Sequence, residues 1–170
     1  MVHAHLCSTR RIDMHPTQNS LSENVRKSVI DVLQARLFDS IDLASQMKQA
    51  HWAVRGPNFV ALHGLFDTVH GNVNGHTDLL AERITALGGR VEGTARSAAA
   101  NSSLSEYPLD AVAGDDHVAA VSTALARFGA SIRADIDAAA DAGDQGSADL
   151  FTEISRAVDQ DLWLVEAHKG

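Results

Sequence analysis

Residues 58–89 read NFVALHGLFDTVHGNVNGHTDLLAERITALGG, and this stretch decides the fold. Its large apolar side chains return every three or four residues, which places them in a narrow arc of a helix that turns by about 100° per residue. Glycine readily adopts the left-handed backbone that closes helices, so Gly88 and Gly89 mark the end. The stretch therefore predicts one long amphipathic helix over residues 58–87. The apolar residues of its arc are Leu62, Phe66, Val69, Val73, Leu80, Ile84 and Leu87.

Apolar side chains also return every three or four residues in the segment before residue 58. Ser20 and Glu23 have the spacing of a capping box, which predicts the start of a helix. An apolar stripe then continues to about Ala50, and Gly56 with Pro57 ends the helix. Because residues 1–20 show no periodicity, we expect them to be a flexible tail and residues 21–170 to be one folded domain. The stripe consists of Val29, Ile30, Leu33, Leu37, Ile41, Ala44 and Met47.

Two more helices follow, after a long connection. Residues 90–114 are rich in Gly, Ser, Ala and Asn and are long enough to cross a bundle or to hold a short helix. A third helix starts near Asp115 or Asp116, and a fourth covers about 147–167. Four amphipathic helices without a strand pattern predict an all-α four-helix bundle, and a long crossover between helices two and three fits ferritin-like bundles. The core-facing residues of these two helices are Val118, Val121, Leu125, Phe128, Ile132, Ile136, Leu150, Phe151, Ile154, Val158, Leu162 and Val165.

Composition limits the classes of function. The chain has 170 residues and a net charge of −8, which argues against a uniformly basic nucleic-acid binder. Cys7 is the only cysteine, so the chain can form neither an internal disulfide nor a cysteine-based zinc ribbon. No apolar run approaches the roughly 18 residues that span a bilayer, and residues 1–20 lack a hydrophobic signal core. We therefore expect a soluble cytoplasmic protein with no membrane partner.

A polar stripe with metal-binding chemistry lies beside the apolar arc of the second helix. His63 and Asp67 are four residues apart and form what we call the N-terminal pair, while Asp78 and Glu82, with the same spacing, form the C-terminal pair. Residues four apart on a helix can reach one cation together, and imidazole with carboxylate oxygen suits iron, manganese or zinc better than calcium. The alternative is a solvated polar face, and spacing alone does not decide between the two.

One chain cannot join the two pairs at one metal. Asp67 and Asp78 are eleven residues apart, which is about 16 Å along a straight helix. If two copies of the helix pack antiparallel about a two-fold axis, the N-terminal pair of one meets the C-terminal pair of the other, and the mixed site forms twice. Gly71 and Gly75 would let the two backbones approach. His51, at the end of the first helix, is a further candidate ligand.

Several motifs resemble the signature of Dps-type mini-ferritins. They are K-Q-A-H-W-x-x-R-G-x-N-F at residues 48–59, His63, Asp67 and Asp78, A-E-R at 81–83 and L-G-G at 87–89, with looser matches at 107–110, 116–117 and 155–163. The resemblance covers nearly everything after the tail. It implies a ferritin-like bundle assembled as a hollow homo-dodecamer, with ferroxidase centres at the two-fold dimer interfaces.

The same resemblance implies a reaction and its residues. His51, His63, Asp67 and Glu82 would be iron ligands of a di-iron centre, and Asp78 a ligand or the partner of one. The implied enzyme is a ferroxidase that oxidises Fe(II), preferably with hydrogen peroxide, stores ferric mineral and thereby protects DNA and the cell from oxidative damage. Two alternatives stay open. One is a structural DNA-compacting nucleoid protein, and the other is a ferritin-like scaffold that binds zinc or manganese without iron turnover.

The N-terminal tail and an acidic cluster supply weaker signals. Many relatives bind DNA through lysine-rich tails, whereas this tail has Arg10 and Arg11 and no lysine, so DNA binding would need many weak contacts summed over an oligomer. The histidines and the cysteine of the tail could bind zinc, or they could be incidental in a disordered segment. The acidic cluster could line an iron-entry pore, or it could be a solvated face. The tail residues are His3, His5, Cys7 and His15, and the acidic residues are Asp135, Asp137, Asp141 and Asp144.

Overall fold

The computed structural model describes residues 14–169, and within that range the chain is all-helical. Its helices are α1 (Glu23–Ala53), α2 (Phe59–Ala86), α3 (Ala95–Asn101), α4 (Gly114–Ala142) and α5 (Gln145–Glu166). α1 packs along α2, α4 packs along α5, and α1 also contacts α4, so the four long helices enclose one core. The short α3 lies in the connection between α2 and α4. The predicted all-α bundle with a long crossover is confirmed.

The apolar arc predicted for the central helix is the buried face of α2. All its members are buried, and full burial of one large apolar side chain contributes about 1.5–3 kcal/mol. The stripes predicted for the other long helices also face the core. The members that are only partly buried are Ile41, Ile136, Leu150 and Leu162. None of the helices in residues 14–169 combines the length and the hydropathy that a membrane span requires.

The C-terminus of α2 follows the prediction. Gly88 has a φ of 85°, a left-handed conformation that glycine adopts without strain. A β-carbon at this position would also stand 2.8 Å from the backbone oxygen of His15. The two segments are close because the His15 N–H donates a hydrogen bond of 2.7 Å to the Gly88 carbonyl. The segment before α1 is thereby bound to the end of α2.

The start of α1 differs from the prediction. The helix does not begin with a capping box of Ser20 and Glu23, because Ser22 is the N-cap and its Oγ accepts a hydrogen bond from the Val25 N–H at 3.3 Å. The reason lies one turn earlier. The Asn19 side chain accepts a hydrogen bond of 2.9 Å from the N–H of Leu21 and holds a turn that competes with the helix.

The crossover is tied to the bundle by a buried carboxylate. Asp39 lies on the core side of α1 and accepts hydrogen bonds from the Ser103 N–H at 2.6 Å and from the Ser103 hydroxyl at 3.0 Å. Arg36, one turn earlier on α1, forms an ion pair with Asp39 at 3.3 Å and another with Asp135 of α4, also at 3.3 Å. These contacts join α1, α4 and the segment after α3, and they position the loop that approaches the start of α2.

Candidate metal centre

Two histidines from different helices lie face to face at one end of the bundle. His51 is in the last turn of α1 and His63 is near the start of α2, and their rings stack with centroids 3.7 Å apart. The Nδ1 atom of His51 is 2.7 Å from the His63 carbonyl oxygen, and the Nδ1 atom of His63 is 2.8 Å from the His51 carbonyl oxygen. A carbonyl only accepts hydrogen bonds, so each Nδ1 carries the proton. Each Nε2 therefore keeps a lone pair for a metal ion.

The loop between α1 and α2 makes this arrangement possible. Val54 ends α1 by donating to the Ala50 carbonyl at 3.0 Å. Gly56 has a φ of 114°, which lets the chain reverse within a few residues. The Arg55 N–H donates to the Val112 carbonyl at 3.1 Å and fastens the loop to the end of the crossover. The two histidines thus sit on a short, braced hairpin between two long helices.

Asp67 lies one turn after His63 on the exposed face of α2. Its carboxylate forms an ion pair with the ammonium group of Lys48 on α1. The hydrogen bond from Lys48 holds the pKa of Asp67 below its ordinary value, and the nearby His51 acts in the same direction. Lys48 stands one turn before His51, but no spacing rule in the sequence marks it as part of the site. Lys48, His51, His63 and Asp67 form one group, which we call the histidine half-site.

The C-terminal pair lies further along the same helix. Asp78 and Glu82 are exposed, and neither makes a hydrogen bond or ion pair within the described part of the chain. In residues 14–169 of a single chain, no three His, Cys, Asp or Glu side chains come together as a metal site. One chain thus carries two separate half-sets of candidate ligands, the histidine half-site and the carboxylate half-site of Asp78 and Glu82.

Large apolar side chains are exposed near the histidine half-site. Trp52, next to His51, is 70% exposed, and Val60 and Phe59 at the start of α2 are also exposed. Contiguous exposed apolar groups on a folded chain are typical of a surface that another protein covers. Gly71 and Gly75 have open space around them and line the groove between α2 and α5.

Two members of the acidic cluster are engaged inside the chain. Asp144 is the buried N-cap of α5. Burial alone would raise its pKa, but hydrogen bonds from Ser147 and Arg83 lower it overall. Asp135 pairs with Arg36, and burial raises the pKa of Asp135 to about 6. Burial excludes Asp144 from lining a pore, and Asp135 is held inside the chain by Arg36. Asp137 and Asp141 are exposed, and their place in a pore stays a prediction.

The remaining candidates are the residues of the N-terminal tail and His70. The tail residues His3, His5, Cys7, Arg10 and Arg11 lie outside the described residues, so zinc and DNA binding by the tail stay predictions. His70 donates through Nδ1 to the Ala44 carbonyl at 2.9 Å and accepts at Nε2 from Asn74 at 2.8 Å, which leaves it no free nitrogen.

Comparisons with known proteins agree with the fold and cover most of the chain. A ferritin-like domain matches residues 30–170. The chain is 40% identical over 154 residues to a DNA protection during starvation protein of Agrobacterium fabrum, an alignment that covers 91% of this chain and 95% of the relative. It superimposes on Mycobacterium smegmatis Dps in its tetragonal form with a TM-score of 0.85 and 30% identity, covering 90% and 93% of the two chains. For Dps from Microbacterium arborescens in the high iron form, the TM-score is 0.81 and the identity 31%, with coverage of 86% and 95%.

Proposed function

Because this chain belongs to the Dps-type mini-ferritins of the ferritin-like family, we propose that it is a ferroxidase that oxidises Fe(II), preferably with hydrogen peroxide, and stores the ferric product. The observation that carries the proposal is the pair of stacked imidazoles, His51 and His63. Each ring uses its Nδ1 to bind the backbone of the other, so both Nε2 atoms are held ready for the substrate ion. We propose that the result is protection of DNA and the cell, as the name of the Agrobacterium relative suggests.

The centre we propose is shared between two chains. His51, His63 and Asp67 of one copy would bind iron together with Asp78 and Glu82 of a second copy. The separation of the two half-sites along α2 supports this, since one chain does not bring three such groups together within residues 14–169. The exposed Trp52 and Val60 beside the histidine half-site supply apolar surface for the contact.

A centre that holds two iron ions has a chemical advantage in the reaction with peroxide. Two Fe(II) ions at one centre supply two electrons to one peroxide molecule, so that two Fe(II), one hydrogen peroxide and two protons become two Fe(III) and two water molecules. Paired oxidation avoids the one-electron step that would release a hydroxyl radical. The carboxylates, which are hard oxygen donors, suit the Fe(III) that is formed.

Lys48 would set the resting state of the centre. Without iron, its ammonium group neutralises Asp67, which prevents an uncompensated cluster of carboxylates when the second chain adds Asp78 and Glu82. An incoming Fe(II) ion would take the place of the ammonium group at Asp67. Binding there is then an exchange of one cation for another.

The proposed assembly is a hollow homo-dodecamer. Closed symmetric assemblies are the rule among soluble oligomers, and a shared centre requires at least a two-fold dimer. Twelve chains of 18.1 kDa each give about 217 kDa. We further propose a cytoplasmic location, weak DNA binding through the N-terminal tail, and association with the nucleoid where DNA binds.

Stopped-flow measurement of Fe(II) oxidation on the purified oligomer tests the proposed function. We expect peroxide to oxidise Fe(II) much faster than oxygen does, with two Fe(II) consumed per peroxide and little hydroxyl radical detected by spin trapping. Slow oxidation with either oxidant by an intact oligomer would overturn the ferroxidase proposal. It would favour a scaffold that binds zinc or manganese.

A further inference from the structure

A second group of metal-binding side chains lies in the groove between α2 and α5. The groove has a volume of about 750 Å³, and its lining includes His76 of α2 and Glu153 and Asp161 of α5. None of these three residues belongs to the proposed ferroxidase centre. Asp78 also lines the groove, so the two regions are neighbours on α2.

Two of these side chains are buried with an unpartnered polar atom. Asp161 is 2% exposed and His76 is 8% exposed. The Nε2 atom of His76 and the Oδ2 atom of Asp161 have no hydrogen-bond partner among the described residues. Buried polar atoms are nearly always satisfied, because leaving one unpaired costs stability. Both atoms lie in one groove and need partners that the described residues do not supply.

The carboxylate of Asp161 is already held in place. Asn72 donates a hydrogen bond of 2.9 Å to Oδ1, which fixes the group and leaves Oδ2 as its free atom. This is the arrangement that orients a carboxylate ligand in metal sites, where an outer hydrogen bond sets the position of the donor atom.

The register of the two helices brings His76 and Asp161 toward each other. Asn72 contacts Asp161, while His76, one turn further along α2, feels the charge of Glu153, two turns earlier on α5. The two helices therefore run antiparallel. Helical side chains lean toward the N-terminus of their own helix. His76 thus leans toward the level of Asp161, and Asp161 leans toward the level of His76.

We propose that this groove binds one divalent first-row transition-metal ion per chain, through Nε2 of His76 and Oδ2 of Asp161. An imidazole nitrogen with a carboxylate oxygen is a donor set that such ions prefer. Glu153 is exposed at the same groove and adds negative charge near His76, and water completes the coordination. The proposal does not depend on the ferroxidase function, since neither His76 nor Asp161 is a proposed iron ligand.

Crystals of the wild-type protein soaked in zinc chloride test the site directly. We expect an anomalous difference peak at the zinc edge about 2.0–2.2 Å from His76 Nε2 and from Asp161 Oδ2. Zinc peaks confined to the region of His51 and His63, with none between α2 and α5, would overturn the proposal.

A zinc titration of variants tests the same site in solution. Asp161→Asn and His76→Gln should each lose one equivalent of bound zinc per chain relative to the wild type. Asp159→Asn, two residues away on the side of α5 that pairs with Arg133, is the matched control and should keep that equivalent. Glu82→Gln, in the proposed ferroxidase centre, should also keep it, which separates the two sites. If Asp161→Asn and His76→Gln bind as much zinc as the control, the site does not exist.

Discussion

At the scale of single residues, the proposed ferroxidase chemistry rests on which nitrogen of a histidine is free. The His51 and His63 rings each bind a backbone carbonyl through Nδ1, and this choice fixes the tautomer of both. Because the acceptors are backbone atoms, either ring can be removed without taking away the acceptor of the other. The two histidines can therefore be tested one at a time.

Replacing His63 with alanine should reduce the rate of peroxide-driven Fe(II) oxidation at least about tenfold, because the centre loses one of its two nitrogen donors. Stopped-flow absorbance at matched oligomer concentration measures the change. His70→Gln is the control, since His70 is also a partly buried histidine on α2 but has both nitrogens engaged. Equal loss of activity in both variants would mean that His63 acts through structure alone.

Lys48→Gln should lower the Fe(II) concentration that gives half-maximal rate, by about two- to fivefold, because iron no longer competes with an ammonium group for Asp67. The maximal rate should change less than the half-saturating concentration. The Fe(II) dependence of the initial rate measures both quantities. A higher half-saturating concentration in the variant would show that Lys48 assists iron binding and does not oppose it.

At the scale of elements, buried charges decide how the helices are joined. Arg36 of α1 contacts Asp39 of the same helix and Asp135 of α4, and Asp39 also holds Ser103 of the crossover. Burial raises the pKa of Asp135 to about 6 in spite of Arg36. Since this value exceeds the ordinary value of 3.8, the folded state favours the protonated form. Asp135 therefore destabilises the fold progressively as the pH rises from about 4 to about 6, and the cost is complete above that range.

Asp135→Asn should accordingly stabilise the protein at pH 8, by of order 1–3 kcal/mol. At pH 4.5 the carboxyl is largely protonated in the folded state but still largely ionised in the unfolded state, so the difference between variant and wild type should shrink to about a third of its value at pH 8. Thermal unfolding at the two pH values measures both differences. A gain in stability that is the same at pH 4.5 and pH 8 would contradict the titration of Asp135 as its cause.

The sequence predicts elements better than it predicts the contacts between them. The arc of α2 and its end at Gly88 follow from local rules, and the structure has both. The exchange of hydrogen bonds between His51 and His63 depends on how the α1–α2 hairpin closes, which no local pattern encodes. Asp161 gave a usable signal, because it stands three residues after Val158 and four before Val165 on the core face of α5. A carboxylate in an apolar stripe needs a polar partner when it is buried, so such a position is a signal of function.

At the scale of the whole molecule, a single chain does not complete the proposed centre. Its two half-sites lie apart on α2, and the apolar surface around Trp52 is open. Both features are explained if copies of the chain cover that surface and exchange half-sites.

Trp52→Glu should break this contact while leaving the chain folded, because a side chain that is 70% exposed contributes little to the fold of its own chain. Light scattering should show a large loss of mass from about 217 kDa, with helical content by circular dichroism unchanged. Peroxide-driven oxidation should fall with the mass. A variant that keeps both its mass and its activity would show that the surface around Trp52 is not the contact.

Co-assembly of two inactive variants tests the shared centre most directly. One variant lacks the histidine half-site (His63→Ala with Asp67→Asn), and the other lacks the carboxylate half-site (Asp78→Asn with Glu82→Gln). If each centre combines half-sites of two chains, a mixed dimer contains one intact centre, and random co-assembly in equal amounts restores about a quarter of the wild-type centres. We predict that doubly tagged, co-purified assemblies recover about that share of the peroxide-driven oxidation rate, while each variant alone stays inactive. Mixed assemblies that are no more active than the separate variants would contradict the shared centre.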